Sequence, residues 1–383
     1  MINPALLAPF FWAGLAVLIY TFLGYPVLMY WLGRLSRRPL VKDLLPDSPT
    51  VTVILCVHNE QDRIPVRLQN LLTSAYPPDK LDILVVSDGS TDDTVARVNA
   101  LAHPRVTFLV EPTRCGKAHA LNTGVVAARG EIVVFADARQ SFSPETIPQL
   151  ARHFQDLQVG AVSGALEIDP AASSVGGGVD AYWRLEKFIR ASESQWDSAI
   201  GCTGAIYAIR RQSFQAIPAD TILDDVVIPM QIANQGLRVL FDATARAFDP
   251  QPLEPHRERI RKRRTLAGNF QMLLRYPGWL LPWRNRLWWQ LISHKYLRLL
   301  APFLLLGLLL ANSALLEVSL YRSLFFGQCL FYGCAFVGLV LSSLRVACFS
   351  LPAGFVFLNW MTLAGLWHYL RGTHRQGWQR TSN

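Results

Sequence analysis

The sequence predicts an α/β domain with a mainly parallel, doubly wound sheet, set among transmembrane and interfacial helices. Three observations predict it. Valine-rich runs alternate with amphipathic stretches through the middle of the 383-residue chain. Long apolar runs are confined to its two ends, and they lift the hydrophobic share to 51% while charged residues make up only 17%. Charge divides the same way: residues 40–255 carry 18 Lys and Arg against 26 Asp and Glu, and the two ends carry 19 against 2. A nucleic-acid-binding domain would hold its basic excess on the folded body, so no nucleic-acid partner is expected. Basic residues beside apolar segments are instead the mark of a membrane protein, with the lipid bilayer as a partner.

The first element, residues 1–39, is a transmembrane helix with a basic flank. Leu6–Leu32 is an apolar run without a charge, long enough to cross a hydrocarbon layer of about 30 Å. It exceeds a signal-peptide core and no basic residue precedes it, so retention is expected. Arg34, Arg37 and Arg38 follow, and the positive-inside rule then puts residue 40 onward in the cytoplasm.

Residues 40–256 form the expected catalytic domain. Val51–Val57, Asp82–Ser87, Val106–Val110, Glu131–Ala136 and Ala161–Leu166 read as strands. Ile64–Ser74, Asp92–Leu101, Ala118–Ala128 and Pro144–Phe154 read as helices between them. Ligands of such sheets bind beyond the carboxyl ends of the strands. Polar residues gather there: His58, Asn59 and Glu60 after the first strand, Ser87 to Ser90 after the second, Asp137 to Arg139 after the fourth. No G-x-G-x-x-G follows the first strand and no G-x-x-x-x-G-K-[ST] is present, which excludes a dinucleotide fold and a phosphate-loop ATPase. The six cysteines form no C-x-x-C pair, so they read as packing residues in a reducing compartment rather than a disulfide frame or zinc site.

Residues 257–298 are basic and rich in tryptophan. Arg257 to Arg264 lead into Trp279, Trp283, Trp288 and Trp289, mixed with Arg275, Arg284 and Arg286 and broken by Pro277 and Pro282. Aromatic and basic residues together suit short interfacial helices. Residues 299–383 return to the membrane: Leu299–Leu316 and Leu324–Leu344 are spanning segments, with Lys295 and Arg298 on the cytoplasmic side. Val346–Leu370 is left open between crossing, lying in the interface and re-entering. Pro352 and Gly354 interrupt it, and crossing would put Arg371, Arg375 and Arg380 outside.

Four stretches of the middle domain resemble a known family. They are Val51 to Glu60, Val85 to Asp92, Gly116 to Asn122 and Val134 to Ala138, followed by Leu223-Asp224-Asp225. In this order they resemble family 2 glycosyltransferases, and the membrane arrangement is similar to the branch holding cellulose, chitin and hyaluronan synthases. The resemblance implies the GT-A nucleotide-sugar-binding fold and inverting transfer of a sugar, UDP-linked, to a growing glycan or lipid-linked glycan. The setting implied is cell-surface polysaccharide biosynthesis at the cytoplasmic membrane face, with other polysaccharide-assembly proteins as further expected partners. Two alternatives stay open: transfer of a single sugar to a polyprenyl phosphate, and a catalytically silent scaffold of the same fold.

The resemblance also implies roles. Glu60 and Asp88 would hold the base and ribose of the donor, and Lys117 its diphosphate. Asp137 would be the metal ligand, joining diphosphate oxygens on a divalent cation, Mg²⁺ or Mn²⁺. Asp225 would be the general base, because an acceptor hydroxyl is a poor nucleophile until its proton is removed. Asp224 either supports it or caps the following helix. Thr203 and Gly204 would line the acceptor side, with Trp196 either stacking on a sugar or packing in the core. Arg261 and Arg264, one helix face apart, would meet the donor diphosphate or anionic lipid. Three departures stand out: Ser87 replaces the first Asp of the family's D-D-G-S, Arg139 replaces the second Asp of D-x-D, and no Q-x-x-R-W is present near Arg264. Arg139 either meets the donor diphosphate itself or pairs with a surface acid.

Overall fold

The computed structural model describes residues 4–36, 48–168, 177–250, 255–341 and 346–372. Arg37, Arg38, the expected boundary at residue 40, Arg375 and Arg380 lie outside them. The chain begins with α1 (Pro4–Ile19), a π-helical turn at Tyr20–Gly24, and α2 (Tyr25–Leu35). Pro26 explains the turn, since it has no N–H for a carbonyl one turn back and its ring needs room there.

Alternating units follow: β1 (Val51–Val57), α3 (Ile64–Leu72), β2 (Leu81–Asp88), α4 (Thr94–Leu101), β3 (Val106–Glu111), α5 (Lys117–Ala127) and β4 (Ile132–Ala136). β1 pairs in parallel with β2 and β4, and Val53 stands opposite both Ile83 and Val134. Because side chains alternate across a strand, Ile54 and Cys56 enter one core with Leu121 and Val125. Val53 and Leu55 enter a second core with Leu68, Ile147 and Leu150. Burial on both faces is what the continuous apolar strands predict.

The remaining elements of the domain are β5 (Ser141–Phe142), α6 (Thr146–Ala151), β6 (Val159–Ile168), α7 (Gly177–Trp196), β7 (Ile206–Arg210), α8 (Asp224–Asn234) and β8 (Arg238–Asp249). They complete an eight-stranded sheet of order β3-β2-β1-β4-β7-β6-β8-β5. β7 is antiparallel to both β4 and β6, and β5 is antiparallel to β8, so the expected parallel sheet is interrupted in its middle and again at one edge. That inversion matters for the site: the loop before β7 and the start of α8 come to the same edge of the sheet as the carboxyl end of β4.

α9 (Pro255–Arg275) and α10 (Trp288–Leu291) lead through a π-helical turn, Ile292–Tyr296, into α11 (Leu297–Ala314), α12 (Ser319–Val340) and α13 (Ala347–Leu370). Among the described residues four helical stretches are long and apolar enough to cross a membrane: Leu6–Leu35, Trp288–Ala314, Ser319–Val340 and Ala347–Leu370. The second begins at Trp288, so Trp288, Trp289, Lys295 and Arg298 stand in the first turns of a long helix rather than in a separate segment. The last is one helix that runs through Pro352 and Gly354. α2 and α13 both lie along α7, and α13 also lies along α9. Leu287, Leu291, Tyr296 and Leu299 share one core with Val226 and Ile228 of α8. The sheet domain and the apolar helices are therefore packed into one body, with the strand ends facing the helices.

Candidate active site

At the first two strand ends the structure is built from hydrogen bonds between loops. His58 Nδ1 lies 2.7 Å from the Asp88 carbonyl oxygen, and the Glu60 N–H donates to Thr94 Oγ1 at 2.8 Å. The Glu60 carboxylate is buried and receives Arg63 at 2.9 Å. Asp88, fully buried, accepts the N–H groups of Cys115 and Gly116 at 2.6 and 2.9 Å. Gly116 has a φ of +97°, a conformation glycine adopts without strain. Asp88 and Gly116 thus fix the turn that delivers Lys117 at the first position of α5. Ser87, in place of the family's first Asp, spends its hydroxyl on Ser90 at 2.9 Å and tightens the same loop.

Lys117 is the centre of the site. Its Nζ lies 3.2 Å from Asp137 Oδ1, at the end of β4, and 3.7 Å from Asp224 Oδ2, at the start of α8. Burial works to discharge the amine, but Asp137, Asp224 and Asp225 outweigh it and push its pKa up. Asp224 and Asp225 occupy the first turn of α8, where unpaired N–H groups favour negative charge. Gly204 faces Asp225 so closely that a Cβ there would stand 3.0 Å from its Oδ2. Asp225 is pushed up to about 6, first by burial and then by its neighbour Asp224, with Lys117 opposing. A carboxyl with that value is ionised near neutrality yet still basic enough to take a proton.

One cavity of about 530 Å³ gathers nine of the twelve residues expected from the sequence: Lys117, Asp137, Arg139, Thr203, Gly204, Asp224, Asp225, Arg261 and Arg264. Glu60 and Asp88 lie beside it at the ends of β1 and β2, outside its lining. Trp196 is elsewhere. It ends α7 and packs edge-on against Trp289, ring centres 5.5 Å apart, in a cluster with Tyr25 and Met29. It is outside the cavity lining, in the packing position that the core alternative describes. Arg139 pairs with the buried Asp249 of β8 at 2.7 Å, and Gln140 reaches the same oxygen at 3.0 Å. The acid that Arg139 finds is a buried strand end rather than a surface group. Arg261 lies 2.6 Å from Glu258 and 5.0 Å above the Trp183 ring.

Several residues of the cavity carry no sequence motif. Arg190 of α7 donates to Thr203 Oγ1 at 3.1 Å. One turn back, Glu186 meets His294 at 3.0 Å, Lys295 at 3.0 Å and Arg298 at 2.9 Å. Burial alone would raise the Glu186 pKa, but His294, Lys295 and Arg298 hold it well below the ordinary carboxylate range. Glu193 takes the other nitrogen of His294 at 2.8 Å and the Tyr25 hydroxyl at 2.5 Å. The spacing Glu186, Arg190, Glu193 puts all three on one helix face, a signal in the sequence that the motif-based reading passed over. Lys262 lies 4.2 Å over Tyr182, and burial pushes its pKa down to about 8 against the pull of Glu258.

Among the described residues no group of three His, Cys, Asp or Glu is gathered as a metal site. Asp137 is the one carboxylate left at the D-x-D position, so a divalent ion could be held there only with oxygens from a bound diphosphate. Mg²⁺ is commonly bound that way, by one or two carboxylates and substrate phosphates.

Comparisons with known proteins bear on the fold that carries this site. Residues 52–217 match the family model described as Glycosyl transferase family 2. The probable glycosyltransferase YdaM of Bacillus subtilis is 24% identical over 229 residues, 56% of this chain and 54% of that protein. Poly-beta-1,6-N-acetyl-D-glucosamine synthase of Staphylococcus aureus is 24% identical over 244 residues, covering 58% of each chain. An N-acetylglucosaminyltransferase of Rhizobium meliloti is 27% identical over 250 residues, 59% of this chain and 58% of that one. The chain thus spans a little over half the length of these relatives. Among solved structures, the mannosyltransferase PcManGT from Pyrobaculum calidifontis, in complex with GDP-Man and Mn²⁺, superposes with a TM-score of 0.71 at 24% identity. The match covers 94% of this chain and 99% of that one, and establishes the fold.

The raised value of Asp225 has a stability consequence. The native state holds this proton more tightly than the unfolded chain, whose carboxyl titrates near 3.8. Stability from this group is complete below about pH 4 and is lost as pH rises through about 6. Thermal unfolding in detergent should therefore begin at a lower temperature as pH rises across that window, and Asp225→Asn should flatten the slope. A slope unchanged in the variant contradicts the shift.

Proposed function

We propose that this chain, which carries a glycosyl transferase family 2 domain of GT-A fold, transfers a sugar with inversion from a UDP-linked donor to a glycan or lipid-linked glycan at the cytoplasmic face of a membrane. The observation that carries the reading is the facing of Asp225 and Asp224 with Lys117 and Asp137 across one cavity. That pairing supplies what direct displacement needs: a base on one side and a holder of the leaving diphosphate on the other.

In the reaction, Asp225 takes the proton of the acceptor hydroxyl. The freed oxygen bonds to the anomeric carbon as the bond from that carbon to the β-phosphate oxygen breaks, and the nucleoside diphosphate leaves with the electron pair. Asp224 keeps the base strong by its adjacent charge. Lys117 is close enough to exchange Asp137 and Asp224 for diphosphate oxygens, which then carry the developing charge to it. Arg264, exposed on α9 where it lines the cavity, offers a second cation to the same group. A divalent ion held by Asp137 and the diphosphate would neutralise the remaining charge on the leaving group. Glu60 and Asp88 shape the loops beside β1 and β2 that would receive the base and ribose. Cell-surface polysaccharide biosynthesis is the setting in which such a reaction would serve.

Asp225→Asn should lower turnover roughly 10²–10⁴-fold while nucleotide binding persists, and Asp224→Asn should cost less. Near-normal turnover in Asp225→Asn would overturn the base assignment and favour an acceptor that is already an anion. For the metal, UDP affinity should rise when Mg²⁺ or Mn²⁺ is added to the purified chain, and Asp137→Ala should abolish that gain. Affinity and turnover indifferent to metal and chelator would leave the diphosphate to the basic side chains alone. For orientation, a reporter active only outside the cytoplasm should be silent when fused after residue 250 and active when fused after Glu317. The opposite pattern would invert the topology.

A further inference from the structure

The cavity continues past the acidic pair. Gly204 lies against Asp225, its neighbour Thr203 accepts from Arg190, and Arg190 joins Lys295 and Arg298 through Glu186. Leu299, next to Arg298 in the chain, lines the same cavity with Phe22, Leu351, Phe355 and Leu358. The apolar stretch is supplied by three of the helices long enough to cross a membrane, and Phe22 and Phe355 meet edge-on at 5.0 Å. Between the carboxylates and this apolar wall lies a patch whose cations outnumber its acids. Arg190, Lys295 and Arg298 share the single carboxylate of Glu186, with His294 held between Glu186 and Glu193. Two guanidinium nitrogens of Arg298, Nε and Nη2, are buried and meet no well-aligned hydrogen-bond acceptor among the described residues, with Tyr182 beside the same guanidinium, its ring centre 5.8 Å away. Buried donors of this kind are ordinarily satisfied, so the patch has unmet capacity for an anion.

We propose that the acceptor is a lipid-linked sugar phosphate, with its phosphate on Arg190 and Arg298, its hydrocarbon tail along Phe22, Leu351, Phe355 and Leu358, and its sugar hydroxyl at Asp225. The order of the wall is the order of such a molecule: hydroxyl, phosphate, tail. A free glycan has no use for arginines followed by leucines and phenylalanines. A free phosphate has no use for the apolar wall, and a neutral lipid has none for the cations. Guanidinium groups match phosphate oxygens in paired contacts and are weakly hydrated, which suits a half-buried site at a membrane surface. This inference rests on the assignment of Asp225 as base and names the acceptor of that same site.

Binding of dodecyl phosphate, dodecanol and inorganic phosphate to the purified full-length chain tests it, read by calorimetry in nanodiscs without turnover. Dodecyl phosphate should bind at least about tenfold more tightly than either of the others, as expected when charge and apolar contacts act together. Arg298→Gln should lower that affinity about tenfold and leave dodecanol and UDP unaffected. Leu358→Trp, which fills the tail path and keeps every cation, should weaken dodecyl phosphate and spare inorganic phosphate. Equal affinity for dodecanol would reduce the site to an apolar groove, equal affinity for inorganic phosphate would reduce it to a simple anion site, and displacement of dodecyl phosphate by UDP would assign the cations to the donor. Each of these overturns the proposal. A chain that binds the lipid phosphate as described yet transfers no sugar to any acceptor would fail the enzymatic reading alone.

Discussion

One ammonium group amid three carboxylates is the constraint on which the rest of the site depends. Lys117 comes from α5, Asp137 from β4 and the Asp224–Asp225 pair from α8, so the contact ties three elements distant in sequence to one point. Removing the lysine would leave acids repelling one another under cover of protein, and removing the acids would strand a buried cation. The fold serves this contact. Parallel strands β1 and β4 bring their carboxyl ends to one edge, and the reversed strand β7 returns the chain there so that α8 can begin beside it. Asp88 then fixes the turn before α5. The same charge balance that holds the free protein together gives Lys117 protein carboxylates that it would exchange for the diphosphate of the proposed donor.

Much of this was legible in the sequence because it is local. β1 to β4 follow the expected runs within a residue or two, and nine of twelve expected site residues line one cavity. The strand-end acids were readable because only a shared site explains polar residues at several ends of one sheet. β7 and β8 were not foreseen. β7 is five residues long, and a short apolar run looks alike whether it pairs parallel, antiparallel or not at all. Trp196 could not be placed from sequence because its partner, Trp289, lies 93 residues on, on a different helix.

The cationic patch between the acidic pair and the apolar helices was hidden for the same reason. Glu186 finds its partners more than a hundred residues away, in His294, Lys295 and Arg298. Read alone, Lys295 and Arg298 are basic residues at the mouth of an apolar segment, and they served to orient it. Packed against α7 they become part of the cavity wall. The structure thus gives them a place in the cavity as well as a place in the topology. Buried charge at this junction also couples the sheet domain to the helices: breaking one partner leaves the others unpaired, so the two parts are expected to hold one relative placement. The geometry that would set the proposed acceptor path is then the geometry that would keep Asp225 aligned with it.

Arg139 shows how far a motif can drift while the site stays usable. Its guanidinium is committed to Asp249, so in the proposed reaction Asp137 would be the acid on the metal side and more weight would fall on Lys117. The central claim is that Asp225 activates an acceptor hydroxyl for one direct displacement at the donor's anomeric carbon. The most direct measurement is the anomeric configuration of the product, by NMR, after membranes holding the chain are supplied with α-linked UDP-sugars and a lipid-linked sugar phosphate. The account predicts a β-linked product, one inversion. An α-linked product would require two displacements or a front-side path, and would contradict it.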